Sequence, residues 1–326
     1  MNWSPRRSTA LAAALGCLAL LTAPAPAQQA PKLLLALSSY REDLGYPRIY
    51  FYRHDGVGAG TPEGRIEPGT TRSDHRPTLS GNGRYCATTQ EVVGKVSQIA
   101  LWDREEKKPL ELPLLSAGTL DLGPSMSADG RLLAFSTWRR PGPAGWNVMV
   151  YDRATKQVEY PEGLNSEADD RMPALSADGR WLAFSSTRPG GAGGADLYLY
   201  DRTTRMLAPL SGLNGATSEV EPSLSGDGRL IAFAAVRPEG AGQLDIYLYD
   251  RAAQKLLSLP GLNSLAPEQA PALSADGRFL AFVSERLDGT GHRDVYLYDR
   301  STARLLPTPG LNSARDDVDP AILVLE

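Results

Sequence analysis

The sequence is poor in the residues from which disulfide frameworks and histidine-based active sites are built. It contains two cysteines, Cys17 and Cys86, and three histidines, His54, His75 and His292. Cys17 lies in an N-terminal segment that we expect to be removed, so Cys86 would be the only cysteine left and could form no internal disulfide. The histidines stand in unequal sequence contexts, which gives no support to a His-ligated metal site or a Ser-His-Asp triad. We therefore predict no catalytic residue and no metal ligand.

Long apolar runs and an excess of basic charge are also lacking. After residue 27, no apolar run approaches the ~20 residues that a membrane span requires. The formal net charge is −4, and no basic patch of the kind that nucleic acid needs is present, so we expect no nucleic-acid binding. Hydrophobic residues make up 42% of the chain and no long polar tract interrupts them, so the chain should be globular throughout.

The first 27 residues differ from the rest. Arg6-Arg7 precede an apolar run through Leu21, and the segment ends in Ala25-Pro-Ala27, a pattern typical of a secretory signal peptide cleaved after Ala27. A twin-arginine signal and lipoprotein anchoring at Cys17 are the alternatives. The apolar run continues past Cys17, which favours ordinary cleavage. We therefore expect a periplasmic or secreted protein.

A repeat with a period of 49 residues fills most of the remaining chain. Ser-x-Asp-Gly-Arg begins at Ser127, Ser176, Ser225 and Ser274, Tyr-Asp-Arg begins at Tyr151, Tyr200, Tyr249 and Tyr298, and Gly-Leu-Asn ends at Asn165, Asn214, Asn263 and Asn312. A period of this size indicates a solenoid, a propeller or an array.

Each repeat contains four short strand patterns and no helical periodicity. In the repeat from residue 173 to 210, Ala-Leu-Ser precedes a tight Asp178-Gly179 turn. Residues 180–186 are apolar on both faces, which is typical of a strand covered on both sides. Residues 197–200 and 206–210 form the third and fourth strands. Four short strands separated by turn signals predict a propeller blade.

Degenerate copies raise the number of blades to six. Residues 77–104 are a copy with Asn82 in place of the turn aspartate. Residues 34–52 supply a second and third strand without a first, and residues 319–326 match the start of a repeat. We predict an all-β, six-bladed propeller with four antiparallel strands per blade, closed by pairing of the C-terminal strand with the N-terminal blade. The signal peptide covers residues 1–27 and the propeller residues 28–326, with blades at approximately 33–68 plus 319–326, 76–113, 123–161, 172–210, 221–259 and 270–308.

The repeat resembles that of the TolB-like propellers, also called the PD40 or WD40-like repeat. The resemblance rests on Pro173-x-x-Ser-x-Asp-Gly-Arg-x-Leu-Ala-Phe-x-Ser-x-Arg188 followed by Asp196-x-Tyr-x-Tyr-Asp201, and it covers essentially all of the mature chain. It implies the fold more than a function, because the repeat also occurs in relatives of prolyl oligopeptidase and in some polysaccharide lyases. We expect neither the α/β domain of TolB nor the hydrolase domain of the peptidases, whose Gly-x-Ser-x-Gly elbow is absent.

Two charged positions recur beside the predicted strands. An acid stands three residues before the proline at Asp74, Asp121, Asp170, Glu219, Glu268 and Asp317, and an arginine ends the second strand at Arg41, Arg139, Arg188, Arg237 and Arg286, with Glu91 in the degenerate blade. One hypothesis is that acid and arginine pair on the same rim and support the architecture. The other is a polar ring at the channel mouth that binds a ligand or peptide.

Gly-Leu-Asn also admits two interpretations. Its glycine can supply a left-handed backbone, its leucine can fill the space between blades, and its asparagine can bond local backbone. The alternative is a Ca²⁺ site built from Asn165, Asp169 and Asp170, or from Asn312, Asp316 and Asp317. Apart from that possibility we expect no cofactor. The Tyr-Asp-Arg turns and the tyrosines of the third strands are interpreted as structural.

The loops suggest where function lies. The short turns share one face of the ring, so the longer loops lie on the other face, and we expect the binding site there. We predict an exported, monomeric, non-enzymatic module that binds an envelope protein or peptide at the channel mouth. A hydrolase or lyase acting on a polysaccharide or small metabolite in the channel, and a purely structural envelope protein, are the alternatives.

Overall fold

The computed structural model describes residues 1, 31–42, 45–67, 72–92, 97–115, 120–138 and 145–325. Apart from Met1, the predicted signal peptide lies outside these ranges, as does Arg139. The described residues form 24 strands in six four-stranded sheets. Within these ranges, no helix is long and apolar enough to cross a membrane.

Each sheet is one blade, and in blades 2 to 6 the first strand in chain order lies nearest the central channel. Blade 1 consists of β1 (Lys32–Ser39), β2 (Arg48–His54), β3 (Gly60–Arg65) and β24 (Asp317–Leu325). Blade 2 consists of β4 (Arg72–Leu79), β5 (Tyr85–Val92), β6 (Gln98–Asp103) and β7 (Lys108–Leu110). Blade 3 consists of β8 (Asp121–Met126), β9 (Leu132–Thr137), β10 (Asn147–Asp152) and β11 (Gln157–Glu159). Blade 4 consists of β12 (Asp170–Leu175), β13 (Trp181–Ser186), β14 (Asp196–Asp201) and β15 (Met206–Ala208). Blade 5 consists of β16 (Glu219–Leu224), β17 (Leu230–Ala235), β18 (Asp245–Asp250) and β19 (Lys255–Leu257). Blade 6 consists of β20 (Glu268–Leu273), β21 (Phe279–Ser284), β22 (Asp294–Asp299) and β23 (Arg304–Leu306).

The two ends of the described chain meet in blade 1. There β24 pairs antiparallel with β1, from Lys32 opposite Leu325 to Ser39 opposite Asp317, and the strand order is β24-β1-β2-β3. β24 thus takes the innermost place that β4, β8, β12, β16 and β20 take in the other blades. The predicted six-bladed fold and its closure by the C-terminal strand are confirmed.

The innermost strands differ from the sequence-based prediction at their starts. The repeat pattern placed the recurring acid in the loop before the first strand of each blade. In the structure the acid begins that strand: β12 starts at Asp170, directly opposite Ser186. The pairing register then shifts between Arg171 and Ala174 because one extra residue forms a β-bulge there. The proline that follows the bulge can donate no ladder hydrogen bond, which hid the strand's true start.

The residue before this proline has a positive φ in every blade. These six bulge positions are Arg76, Gly123, Met172, Glu221, Ala270 and Asp319, and their φ values lie between 48° and 59°. Five of them are not glycine, although a left-handed backbone is unfavourable for residues with a Cβ. The bulge interrupts the strand at the same height in all six blades.

The Gly-Leu-Asn segments join neighbouring blades as the structural interpretation predicted. Gly163 has a φ of 75°, and Leu164 is fully buried between blades 3 and 4. The Asn165 side chain accepts a hydrogen bond from the Val148 amide at 2.8 Å and donates one to the Val148 carbonyl at 2.9 Å. The three other copies make the same contacts with Leu197, Ile246 and Val295.

The short-turn face is held by paired charges. Arg180 donates to the two carboxylate oxygens of Asp201 at 3.1 and 2.7 Å, and these hydrogen bonds lower the pKa of Asp201 to about 2. The turn glycines let blades approach closely, since a Cβ on Gly228 would lie 2.5 Å from the Trp181 ring. The Tyr200 hydroxyl donates to the Glu162 carbonyl between the blades at 2.7 Å. The Tyr-Asp-Arg turns are therefore structural, as predicted.

Candidate binding site at the channel mouth

Four of the six acids singled out in the sequence form buried ion pairs with the arginine of their own blade. We call these residues the acid–arginine ring. The distances are 3.1 Å for Arg41–Asp317, 2.7 Å for Arg188–Asp170, 3.1 Å for Arg237–Glu219 and 3.1 Å for Arg286–Glu268. The carboxylate side chains of these pairs have no exposed surface, and the arginine side chains are 10 to 21% exposed.

Each arginine of the ring has further partners that belong to the architecture. Arg188 donates to the carbonyl of the interblade residue Leu164 at 2.6 Å. Its guanidinium also lies 5.1 Å from the centre of the Phe184 ring and 4.5 Å from that of Tyr198. Arg237 and Arg286 repeat both kinds of contact. One side chain thus joins the innermost strand, the second strand and the interblade loop.

Blades 2 and 3 depart from this arrangement. Asp121 accepts a hydrogen bond from Thr137 Oγ1 at 2.6 Å, and its predicted partner Arg139 lies outside the described residues. Asp74 accepts from Thr88 at 3.3 Å and from Gln90 at 3.1 Å, while its Oδ2 atom has no partner. Burial raises the pKa of the Asp74 carboxyl.

The degenerate blade also requires a correction in alignment. Asp74 pairs with Gln90 as Asp170 pairs with Ser186, so the arginine position of blade 2 falls on Val92. The comparison of repeats had assigned the arginine position to Glu91, which is one residue before Val92. The error arose because blade 2 lacks the arginine that fixes the alignment elsewhere.

A second set of residues, in front of the acid–arginine ring, faces open space. The funnel is a cavity of about 420 Å³ whose wall includes Tyr40, His75, Trp146, Arg171 and Arg293. Below it the channel has a volume of about 260 Å³. All six bulge positions line the channel, and all except Gly123 also line the funnel. None of the acids or described arginines of the acid–arginine ring lines either cavity.

The bulge positions were not recognised from the sequence. Their backbone is the same in all six blades, yet their side chains are those of arginine, glycine, methionine, glutamate, alanine and aspartate. The signal was available as the one changing residue before an otherwise constant proline. It was missed because the repeat comparison drew attention to the positions that do not change.

The funnel wall combines aromatic rings with charges. The Arg171 guanidinium lies 4.6 Å from the centre of the Trp146 ring and 2.7 Å from the Asp169 carboxylate. Trp146 in turn meets Trp138 edge to face, with ring centres 5.6 Å apart, and Trp138 is half exposed. This side of the funnel presents a cation that is held against a mostly buried aromatic ring.

The three histidines are far from equivalent and do not converge. His54 is buried, with Nδ1 accepting from the Gly56 amide at 2.9 Å and Nε2 lying 2.9 Å from the Pro307 carbonyl oxygen. His75 lines the funnel 3.8 Å from Glu91, and His292 is exposed. Among the residues that the structure describes, no group of three or more His, Cys, Asp or Glu side chains is placed to hold a metal ion.

The residues of the two Ca²⁺ hypotheses already have protein partners. Asp170 accepts from Arg188 and from the Ser166 amide at 2.6 Å, and Asp169 accepts from the Trp146 amide at 3.0 Å. In the other set, Asp317 accepts from Arg41 and from the Ser313 amide. Calcium binding at these residues stays an untested alternative to their structural role.

Comparison with known proteins supports the fold. No model of a known protein family matches the chain, and no curated protein matches it. Among solved structures, TolB from Acinetobacter baumannii is similar with a TM-score of 0.63 and 18% identity, over 90% of this chain and 66% of that one. A putative TolB from Agrobacterium tumefaciens is similar with a TM-score of 0.57 and 15% identity, over 91% of this chain and 99% of that one. An oligogalacturonate lyase from Vibrio parahaemolyticus is similar with a TM-score of 0.51 and 14% identity, over 83% of this chain and 72% of that one.

These likenesses establish the architecture. The chain has a TolB-like six-bladed propeller fold, and it spans just under two thirds of the Acinetobacter protein. At identities below a fifth, what such proteins bind or catalyse does not transfer with the fold.

Proposed function

We propose that this protein is an exported, non-enzymatic binding module that captures an envelope protein or peptide in the funnel. One observation carries the proposal: the bulge positions change from blade to blade, whereas the residues behind them repeat. Residues that serve the architecture are needed in every blade. Side chains that vary on a shared, strained backbone and face a cavity are better explained by a ligand.

The composition of the funnel supports capture of a peptide. Its volume of about 420 Å³ lies within the range of ligand sites. The Arg171 guanidinium, stacked on the mostly buried Trp146 ring, can donate to an acceptor on one side, while Arg293 and Asp319 offer charges of both signs on another. The acid–arginine ring lies behind these residues and holds the strands that carry them.

The proposal includes export. The pattern of residues 1–27 is that of a signal peptide, and a TolB-like fold is compatible with a role in the cell envelope. Anchoring through Cys17 remains the alternative to a free protein.

A polysaccharide hydrolase or lyase is the second candidate. It is favoured by the likeness to an oligogalacturonate lyase and by the presence of His75, Glu91 and Tyr40 in the same wall of the funnel. Incubation with oligogalacturonate tests it, with ultraviolet absorbance measuring the unsaturated product of a lyase and a reducing-end assay measuring hydrolysis. Product formation that His75→Gln abolishes would support this candidate over a binding module.

The binding proposal is tested by capture from envelope extract with mature protein as bait. Arg171→Gln, in the funnel, should reduce recovery of the captured partner with little change in melting temperature, because the Arg171 side chain is 42% exposed and ion pairs at such exposure contribute little to stability. Arg304→Gln, at the exposed start of β23, is the matched control and should leave recovery unchanged. Equal recovery by both variants and the wild type would count against the funnel as the site.

A further inference from the structure

An ion pair spans the channel at the level of the bulge positions. The innermost strands follow one another around the ring in chain order, so blades 2 and 5 stand opposite each other. Arg76 belongs to β4 of blade 2 and Glu221 to β16 of blade 5. Nη2 of Arg76 lies 3.9 Å from Oε1 of Glu221. We call this pair the crossbar.

Neighbouring bulge positions hold the two ends of the crossbar. The Ala270 amide donates to Oε2 of Glu221 at 2.7 Å, which leaves Oε1 directed at the arginine. The Arg76 amide is 3.4 Å from Oδ2 of Asp319. The Glu221 carboxylate is therefore held by the Ala270 backbone amide, and the long Arg76 side chain covers most of the width of the channel.

Gly123 provides the path for the arginine. A Cβ built on Gly123 would lie 3.7 Å from Nη1 and 3.9 Å from Cδ of Arg76, so the arginine side chain runs alongside this glycine. A larger residue with its own side chain at this position would compete with Arg76 for the same space.

The crossbar is a weaker ion pair than those of the acid–arginine ring. Its side chains are 40% and 22% exposed, and exposed pairs at such a separation contribute little to stability. The pairs of the acid–arginine ring, by contrast, are shorter and have fully buried carboxylates. Arg76 has five N–H donors, so an incoming anionic group has donors to bind.

We propose that the Arg76–Glu221 crossbar controls passage from the funnel into the channel and selects for an anionic group. This inference rests on the proposed function, and it names the chemistry that the ligand must carry. A carboxylate of the bound peptide takes the place of Glu221 at Arg76, and Glu221 keeps its hydrogen bond from the Ala270 amide. Groups without a negative charge stay in the funnel.

The test measures access to the channel without knowledge of the partner. Ala272→Cys places a thiol on the channel wall in a chain that also carries Cys17→Ser. The only other cysteine, Cys86, is buried, and burial raises its pKa to about 12, so it does not react. The probes are the neutral methyl methanethiosulfonate and the anionic sulfonatoethyl methanethiosulfonate, with labelling followed by intact mass.

The expected results separate the crossbar from a general loosening of the fold. Glu221→Gln should speed labelling by both probes roughly fivefold, the change that an interaction of about 1 kcal/mol supports, and more for the anionic probe because Arg76 is then free. Arg76→Glu should speed only the neutral probe. The double variant Arg76→Glu with Glu221→Arg restores a crossbar and should return labelling to the slow rate, and Arg304→Gln should change nothing.

Equal labelling of Ala272→Cys with and without Glu221→Gln would overturn the crossbar, as would fast labelling of the charge-exchanged double variant. Neither result bears on partner capture. If Arg171→Gln loses capture while Glu221→Gln leaves the labelling of Ala272→Cys unchanged, the proposed function stays in place and only this inference is removed.

Discussion

At the scale of single residues, the aspartates at one position of the repeat lie in different environments in different blades. Asp170 is buried with a guanidinium at 2.7 Å, whereas Asp74 is buried with two neutral donors and one oxygen atom without a partner. Desolvation disfavours the charged form of a carboxyl, and an arginine nearby offsets that cost. The first acid therefore stabilises its blade when ionised, and the second does not.

This contrast predicts opposite effects of one substitution. Asp170→Asn should lower the free energy of unfolding by about 1 to 3 kcal/mol, because it leaves Arg188 without its charged partner. Asp74→Asn should leave stability unchanged or raise it at neutral pH. Because the folded pKa of Asp74 is raised, its charge weakens the fold as pH rises through that pKa, so the benefit of Asp74→Asn should vanish in acid. Urea denaturation at several pH values measures both, and equal losses at neutral pH would refute the distinction.

The carboxylates of the short-turn face predict a loss of stability in acid. Hydrogen bonds from Arg131, Arg180 and Arg229 lower the pKa of Asp152, Asp201 and Asp250 from 3.8 to about 2. A lowered folded pKa gives stability that is present above the unfolded pKa and is lost as pH falls through the folded one. The urea midpoint should therefore fall between about pH 4 and pH 2. Arg180→Gln should make this fall shallower, and an unchanged pH profile would contradict the assignment.

At the scale of strands, the second and third strands could be predicted from sequence, whereas the true start of the first strand could not. Residues 180–186 and 197–200 are apolar on both faces because neighbouring blades cover them, and that pattern is visible in the sequence. The first strand is interrupted by a bulge whose residue can be of any type and by a proline that resembles a strand end. The acid–arginine pairs could be predicted because both residues recur at fixed positions of the repeat. The funnel residues differ from one repeat to the next, so no recurring motif marks them.

The central packing of β13 gives a direct test of this strand assignment. Phe184 has no exposed surface and packs between blades 3 and 4, so Phe184→Ala should cost about 3 to 5 kcal/mol in the free energy of unfolding. Met206, on the outer strand of the same blade, is 67% exposed, and Met206→Ala is the matched control. A loss below about 1 kcal/mol for Phe184→Ala would mean that the strand presents its other face to the core.

At the scale of the whole molecule, the ring is closed by one strand from the C-terminus. β24 supplies the innermost strand of blade 1 and contacts the innermost strands of its two neighbours. Without it, β1 would have an open edge next to the channel, and unpaired strand edges promote association. The stability of all six blades therefore depends on the last residues of the chain.

Removal of residues 319–326 tests this dependence. The truncated protein should melt several degrees lower, as a loss of a few kcal/mol predicts, and it should aggregate at concentrations at which the full chain stays in solution. Differential scanning calorimetry and light scattering measure the two effects. A melting temperature equal to that of the full chain would show that the pairing of β24 with β1 does not hold the ring together.

The central claim is that the changing residues of the funnel bind the partner while the constant acid–arginine ring supports them. The most direct measurement compares Arg171→Gln with Arg237→Gln for partner capture per folded molecule and for melting temperature. The funnel variant should lose capture at an unchanged melting temperature. The ring variant should melt lower, because Glu219 loses its partner, yet capture normally once folded. Loss of capture in Arg237→Gln at an unchanged melting temperature, with normal capture by Arg171→Gln, would contradict the account.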